Sequence, residues 1–180
     1  MFIVRYFQRF ASLLSTIGAY GAAGMILFMA GIILLEIVLR TGFASSTFMM
    51  DELVSYAVAA SGFLALGYAF EQHGIIRVTL LLGALESKPK ARTAVEFVCL
   101  FLTIFIVGFL IYYLYINVER QFVRGYSSGT MSGMPQWIPT GVALTGLVIF
   151  WIQLVSYGLQ LTFVAPPPAE EALPDISSAQ

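Results

Sequence analysis

Charge is scarce in this sequence. Asp, Glu, Lys and Arg make up 11% of its 180 residues, against about 25% in an ordinary soluble domain, so a water-soluble globular reading fails at the first step. The formal net charge of −1 gives no sign of the basic patch that nucleic-acid binding demands. Cysteine occurs once, as Cys99, which excludes an internal disulfide and leaves the redox compartment unread. Histidine also occurs once, as His73. A haem held inside a helical bundle by paired histidines is thereby excluded, and a zinc or iron site fails for the same shortage of ligands. No nucleotide-binding glycine motif or nucleophile elbow is present, and Gly125-x-x-x-Gly129-x-x-x-Gly133 reads as loop flexibility. No catalytic residue, metal site or cofactor is expected in this chain, and no enzyme activity.

What the sequence has in abundance is apolar length. Hydrophobic residues account for 59% of it, and the mean hydropathy is +0.87. Four apolar stretches, 17–39, 53–70, 94–118 and 138–164, occupy more than half of the chain. A hydrocarbon core about 30 Å thick needs roughly 20 residues at helical rise. Backbone in lipid must satisfy its own hydrogen bonds, and continuous runs of this kind do so as helices. The fold class is therefore an all-α integral membrane protein with four transmembrane helices, an N-terminal amphipathic helix, and a short interfacial helix between spans 2 and 3. The organisation expected is an amphipathic segment at 1–16, a membrane domain at 17–164 and a disordered cytoplasmic tail at 165–180.

Phe2, Tyr6, Phe10 and Leu13 fall on one helical face, with Arg5, Gln8, Arg9 and Ser12 on the other. That pattern suits a helix in the headgroup layer; continuation of the first span as one longer helix is the alternative. The apolar run after Arg9 is too long for a signal peptide core and reads as a retained anchor. Residues 75–86 are apolar but too short to span, and contain Arg77; they form an interfacial or re-entrant helix. The last span opens with Pro139, placed in a first turn where no backbone donor is missed. Orientation follows from Lys and Arg near the span ends. Arg5, Arg9, Arg77, Lys88, Lys90 and Arg92 lie on one side, and Arg40, Arg120 and Arg124 on the other. Six against three puts both termini in the cytoplasm.

Glu36 and Arg40 stand four apart with the acid first, the favourable order for a helical pair. Asp51 and Glu52 open the second span, where acids complement the positive end of the helix dipole. The acids Glu36, Glu52, Glu71, Glu96 and Glu119 all lie within about two turns of a span end. The span middles carry no charge, whereas a proton or ion pathway places ionisable groups there. Nor is there the inverted repeat of a transporter core. A packing role is what remains.

Several pieces now carry a resemblance. They are Glu36-Ile37-Val38-Leu39-Arg40, Asp51-Glu52-Leu53 with Tyr56, Gly67, Gly74-Ile75-Ile76-Arg77-Val78, and Gly133-Met134-Pro135-Gln136-Trp137-Ile138-Pro139 before the last span. In order and spacing the chain resembles the small membrane subunit, the DctQ-like component, of tripartite ATP-independent periplasmic (TRAP) transporters over about residues 15–164. The resemblance implies an accessory small permease subunit in the bacterial inner membrane. Its partners would be a large polytopic membrane subunit, a soluble periplasmic substrate-binding protein, and membrane lipids. The transporter would import organic anions, carboxylates or acidic sugars, with sodium coupling residing in the large subunit. This chain would brace the scaffold of that subunit. Charges buried in such a contact require partners, which marks Glu36, Arg40, Glu52 and Arg77, with Tyr56 and the aromatic anchor Trp137, as contacts to the partner subunit or lipid headgroups. Two alternatives stay open. One is a stand-alone structural protein that self-associates through Gly18, Gly21 and Gly24. The other is a small proton-coupled carrier built on Glu36 or Glu96.

Overall fold

The computed structural model describes residues 2–72, 89–130 and 132–163. Those residues form four helices, α1 (Phe2–Phe43), α2 (Met50–Glu71), α3 (Pro89–Val123) and α4 (Trp137–Phe163). All four are long and apolar enough to cross a membrane, as the apolar stretches required. The expected helix at 75–86, with His73 and Arg77, and the tail at 165–180 lie outside the described residues. The amphipathic N-terminal stretch is helical and enters the first span without a break, so α1 runs for 42 residues. At helical rise that is about 63 Å, roughly twice the hydrocarbon thickness.

The core is built around α4. It packs against α1, α2 and α3, while α1 also packs along α2; α3 has no comparable packing against α1 or α2 among the described residues. Small side chains make this possible. Ala11, Ser15 and Ala22 of α1, Ala57 and Ala60 of α2, and Ala143 and Ser156 of α4 are all buried. Helices in lipid gain little from hydrophobicity alone, so close backbone approach and dense packing hold them together.

Two glycines set the closest approaches. A Cβ on Gly146 of α4 would lie 2.5 Å from the Phe63 carbonyl carbon and 2.8 Å from the Leu64 nitrogen of α2. A Cβ on Gly18 of α1 would lie 2.8 Å from the Leu64 carbonyl oxygen. The turn of α2 at Phe63–Leu64 is therefore clasped from two sides by glycine. Towards the other end, Phe70 meets Phe150 and Tyr157 edge-on, at centroid distances of 5.8 and 5.5 Å. α3 joins through larger residues: Val107 packs with Leu147 and Leu154, flanked by Leu100, Ile104 and Trp151. The Trp151 Nε1–H donates to the Ile104 carbonyl at 3.1 Å, tying the two helices across an otherwise apolar seam.

Candidate functional site

The two connections described, 44–49 and 124–136, lie at the same end of the bundle, where a carboxylate gathers each of them. Ser45 N–H donates back to the Leu39 carbonyl at 3.2 Å as α1 ends. Ala44 (φ 45°) and Phe48 (φ 53°) both adopt the left-handed region, which is costly for residues with a Cβ. Between those two bends sit Ser46 and Thr47, and both turn onto Glu36. The Glu36 carboxylate accepts from the Ser46 hydroxyl, from the Thr47 hydroxyl at 2.6 Å and from the Thr47 backbone N–H at 3.1 Å. Arg40 Nε completes the set at 2.9 Å. The Glu36 side chain is 3% exposed and that of Arg40 64%, so the acid is enclosed while the guanidinium faces outward. Hydrogen bonds to the charged form offset the cost of enclosing it.

The second connection is ordered by backbone first. α3 ends on Gly125 in the left-handed conformation (φ 62°). Tyr126 N–H donates to the Gln121 carbonyl at 3.0 Å and Gly125 N–H to that of Phe122 at 3.3 Å, the paired closure that glycine permits at a helix C-terminus. The loop then doubles back: Ser128 N–H donates to Met134 and Gln136 N–H to Tyr126, at 2.9 and 3.1 Å. Its hydroxyls project onto α2. Ser132 Oγ donates to Glu52 Oε2 at 2.6 Å, and the Thr130 hydroxyl donates to the same oxygen. Tyr56, one turn along α2, donates to Glu52 Oε1 at 2.7 Å.

Of the residues singled out from sequence, the structure thus pairs Glu36 with Arg40 and Glu52 with Tyr56, in two separate clusters at one end of the bundle. Trp137 stands apart from both, stacked edge-on with Phe122 at 5.5 Å and 38% exposed. Arg77 lies outside the described residues. The partners that sequence reasoning missed are Ser46, Thr47, Thr130 and Ser132. Their one trace in the sequence was the density of hydroxyls in 45–47 and 127–132, which does not say which acid they meet.

Among the described residues, no group of three or more His, Cys, Asp or Glu side chains is placed to hold a metal ion. What the arrangement does chemically is fix loop backbone to helix. Outward, the bundle offers apolar surface: Leu27, Phe28 and Leu34 of α1, and Phe101, Phe105 and Phe109 of α3, are at least half exposed.

No curated protein and no solved structure matched the chain. The family described as tripartite ATP-independent periplasmic transporters, DctQ component, matches residues 29–161. That span runs from the last third of α1, through both carboxylate clusters, to the end of α4. The chain therefore belongs to the DctQ family, as a small component of a tripartite transporter with a large membrane subunit and a periplasmic binding protein.

Proposed function

We propose that this chain is the accessory small permease subunit of a sodium-coupled, binding-protein-dependent secondary transporter that imports organic anions, carboxylates or acidic sugars. In this reading it braces the scaffold of the large membrane subunit from the bacterial inner membrane, with both termini in the cytoplasm. Sodium coupling belongs to the large subunit. The observation that carries the bracing role is the fixing of both described connections by enclosed or half-enclosed carboxylates at one end of a glycine-clasped bundle. A brace transmits load when its connections do not yield, and these are tied by charge-assisted hydrogen bonds.

The contact residues divide by exposure. Arg40 and Trp137 face outward and are positioned to meet the partner subunit or lipid headgroups directly. Glu36, Glu52 and Tyr56 act through the loops they hold. The self-associating alternative is weakened at Gly18, which is already covered by the Leu64 backbone, and at Gly21, which meets the Leu64 side chain; Gly24 lies open.

The test is co-purification. The chain, tagged at its C-terminus, is extracted gently from native membranes and its companions are identified by mass spectrometry. A stoichiometric partner with roughly a dozen or more spans, judged by apolar runs, supports the accessory role. Recovery of the chain alone, or as a homo-oligomer, overturns it. Arg40→Leu and Glu52→Leu should each lower the yield of that complex and the uptake it supports, with membrane insertion intact.

A further inference from the structure

The C-terminal end of α3 carries a shallow groove of about 260 Å3 lined by Ile116, Glu119, Arg120, Val123 and Arg124. These residues recur at the spacing of one helical face. Neither arginine forms an ion pair, since the pair Arg40–Glu36 is the one found among the described residues. Arg124 Nη1 donates to the Tyr126 hydroxyl at 3.3 Å, a neutral acceptor that holds the guanidinium in place without satisfying its charge. A basic residue in a last turn is favoured by the helix dipole, which accounts for Arg120. It does not account for Arg124, which lies beyond the end of α3.

We propose that this groove binds the phosphate of a membrane phospholipid. Two guanidiniums and one carboxylate leave a net charge of +1, complementary to a monoanionic phosphodiester. A guanidinium offers planar, paired donors suited to phosphate oxygens. Depth agrees with chemistry: the groove closes the apolar span Phe97–Val123, the level at which long cationic side chains reach the headgroup layer. Ile116 and Val123, interleaved with the charges, present apolar surface to the first carbons of the acyl chains. Tyr112 and Tyr113, both exposed and on the same helical face, continue that surface below with the amphipathic rings common at the interface. The occupant is a lipid, because charge and apolar wall lie on one face at the end of a span.

The experiment is native mass spectrometry of the full purified chain in detergent, with added palmitoyl-oleoyl phosphatidylglycerol or the matched diacylglycerol. The wild-type chain should retain the phosphatidylglycerol about tenfold more than the diacylglycerol, and Arg120→Gln/Arg124→Gln should lose most of that preference. Arg120→Lys/Arg124→Lys should recover part of it. Equal retention of both lipids by the wild type overturns the proposal without recourse to any variant. So does undiminished phosphatidylglycerol binding by the double Gln variant. Displacement by millimolar inorganic phosphate assigns the groove to a free anion instead of a lipid. Loss of a co-purified protein partner with lipid retention unchanged assigns the arginines to a protein carboxylate and equally overturns the proposal.

Discussion

Glu36 and Glu52 perform one task on two helices, and each does it mainly through hydroxyl groups. Removing the carboxylate leaves those donors facing an apolar side chain, while removing its charge keeps one acceptor and introduces a competing donor. Glu52→Leu should therefore free the 125–136 loop, raising its amide hydrogen exchange by about an order of magnitude with helix content unchanged. Glu52→Gln should fall between. At Glu36 the same substitution has a further effect, because Ala44 and Phe48 are held in a left-handed conformation that the strap over Ser46 and Thr47 offsets. Glu36→Leu should let both relax, and proteolysis between residues 43 and 49 would report it. The Glu36–Arg40 pair was legible because four residues is the helical repeat. The hydroxyls were not, since Thr130 and Ser132 stand 78 and 80 positions from Glu52 and no local pattern links such distant residues.

Among the helices, glycine decides the spacing and does so unequally. Gly146→Val forces a side chain into the backbone of Phe63 and Leu64, so α2 and α4 must separate. Overpacking of this kind costs about 1–3 kcal/mol and should lower the melting temperature in detergent by roughly 2–12 °C. Gly24→Val is the matched control: nothing lies within 4 Å of its Cβ position, and the melt should not move. α3 depends on α4 by a different device. Trp151→Phe keeps an aromatic ring but removes the donor to Ile104 and part of the packed ring volume, at a cost of at least about 1 kcal/mol, and exchange in α3 should rise before that in α1 or α2. Gly18 was named from the sequence only as a contact between copies of the chain, whereas it packs on the Leu64 backbone within one copy, and Gly146 was not singled out. Which helix each glycine would meet was hidden, because facing depends on the rotation of whole helices.

At the scale of the whole molecule, four spans were readable from the chain because length and apolarity are properties of single segments. The family was readable from motif order, and its match over residues 29–161 agrees. The central place of α4 was not readable, since α4 is neither the most nor the least apolar span and centrality is a matter of neighbours. Sidedness rests on Lys and Arg outnumbering two to one on the side of the termini. A fluorescent protein fused to the C-terminus should therefore be bright and an alkaline phosphatase fusion inactive; the reverse pattern would turn the whole bundle over.

The two straps also differ in reach along the chain, and that sets an order of events during synthesis. Glu36 finds its partners 10 and 11 residues downstream, so the first hairpin can lock as soon as its turn is made. Glu52 must wait until α3 and the start of the 124–136 loop have been delivered. Short closures form early and long ones late. The Glu52 strap is thus a completion mark: a nascent chain halted before Thr130 carries a finished first turn and an open second one.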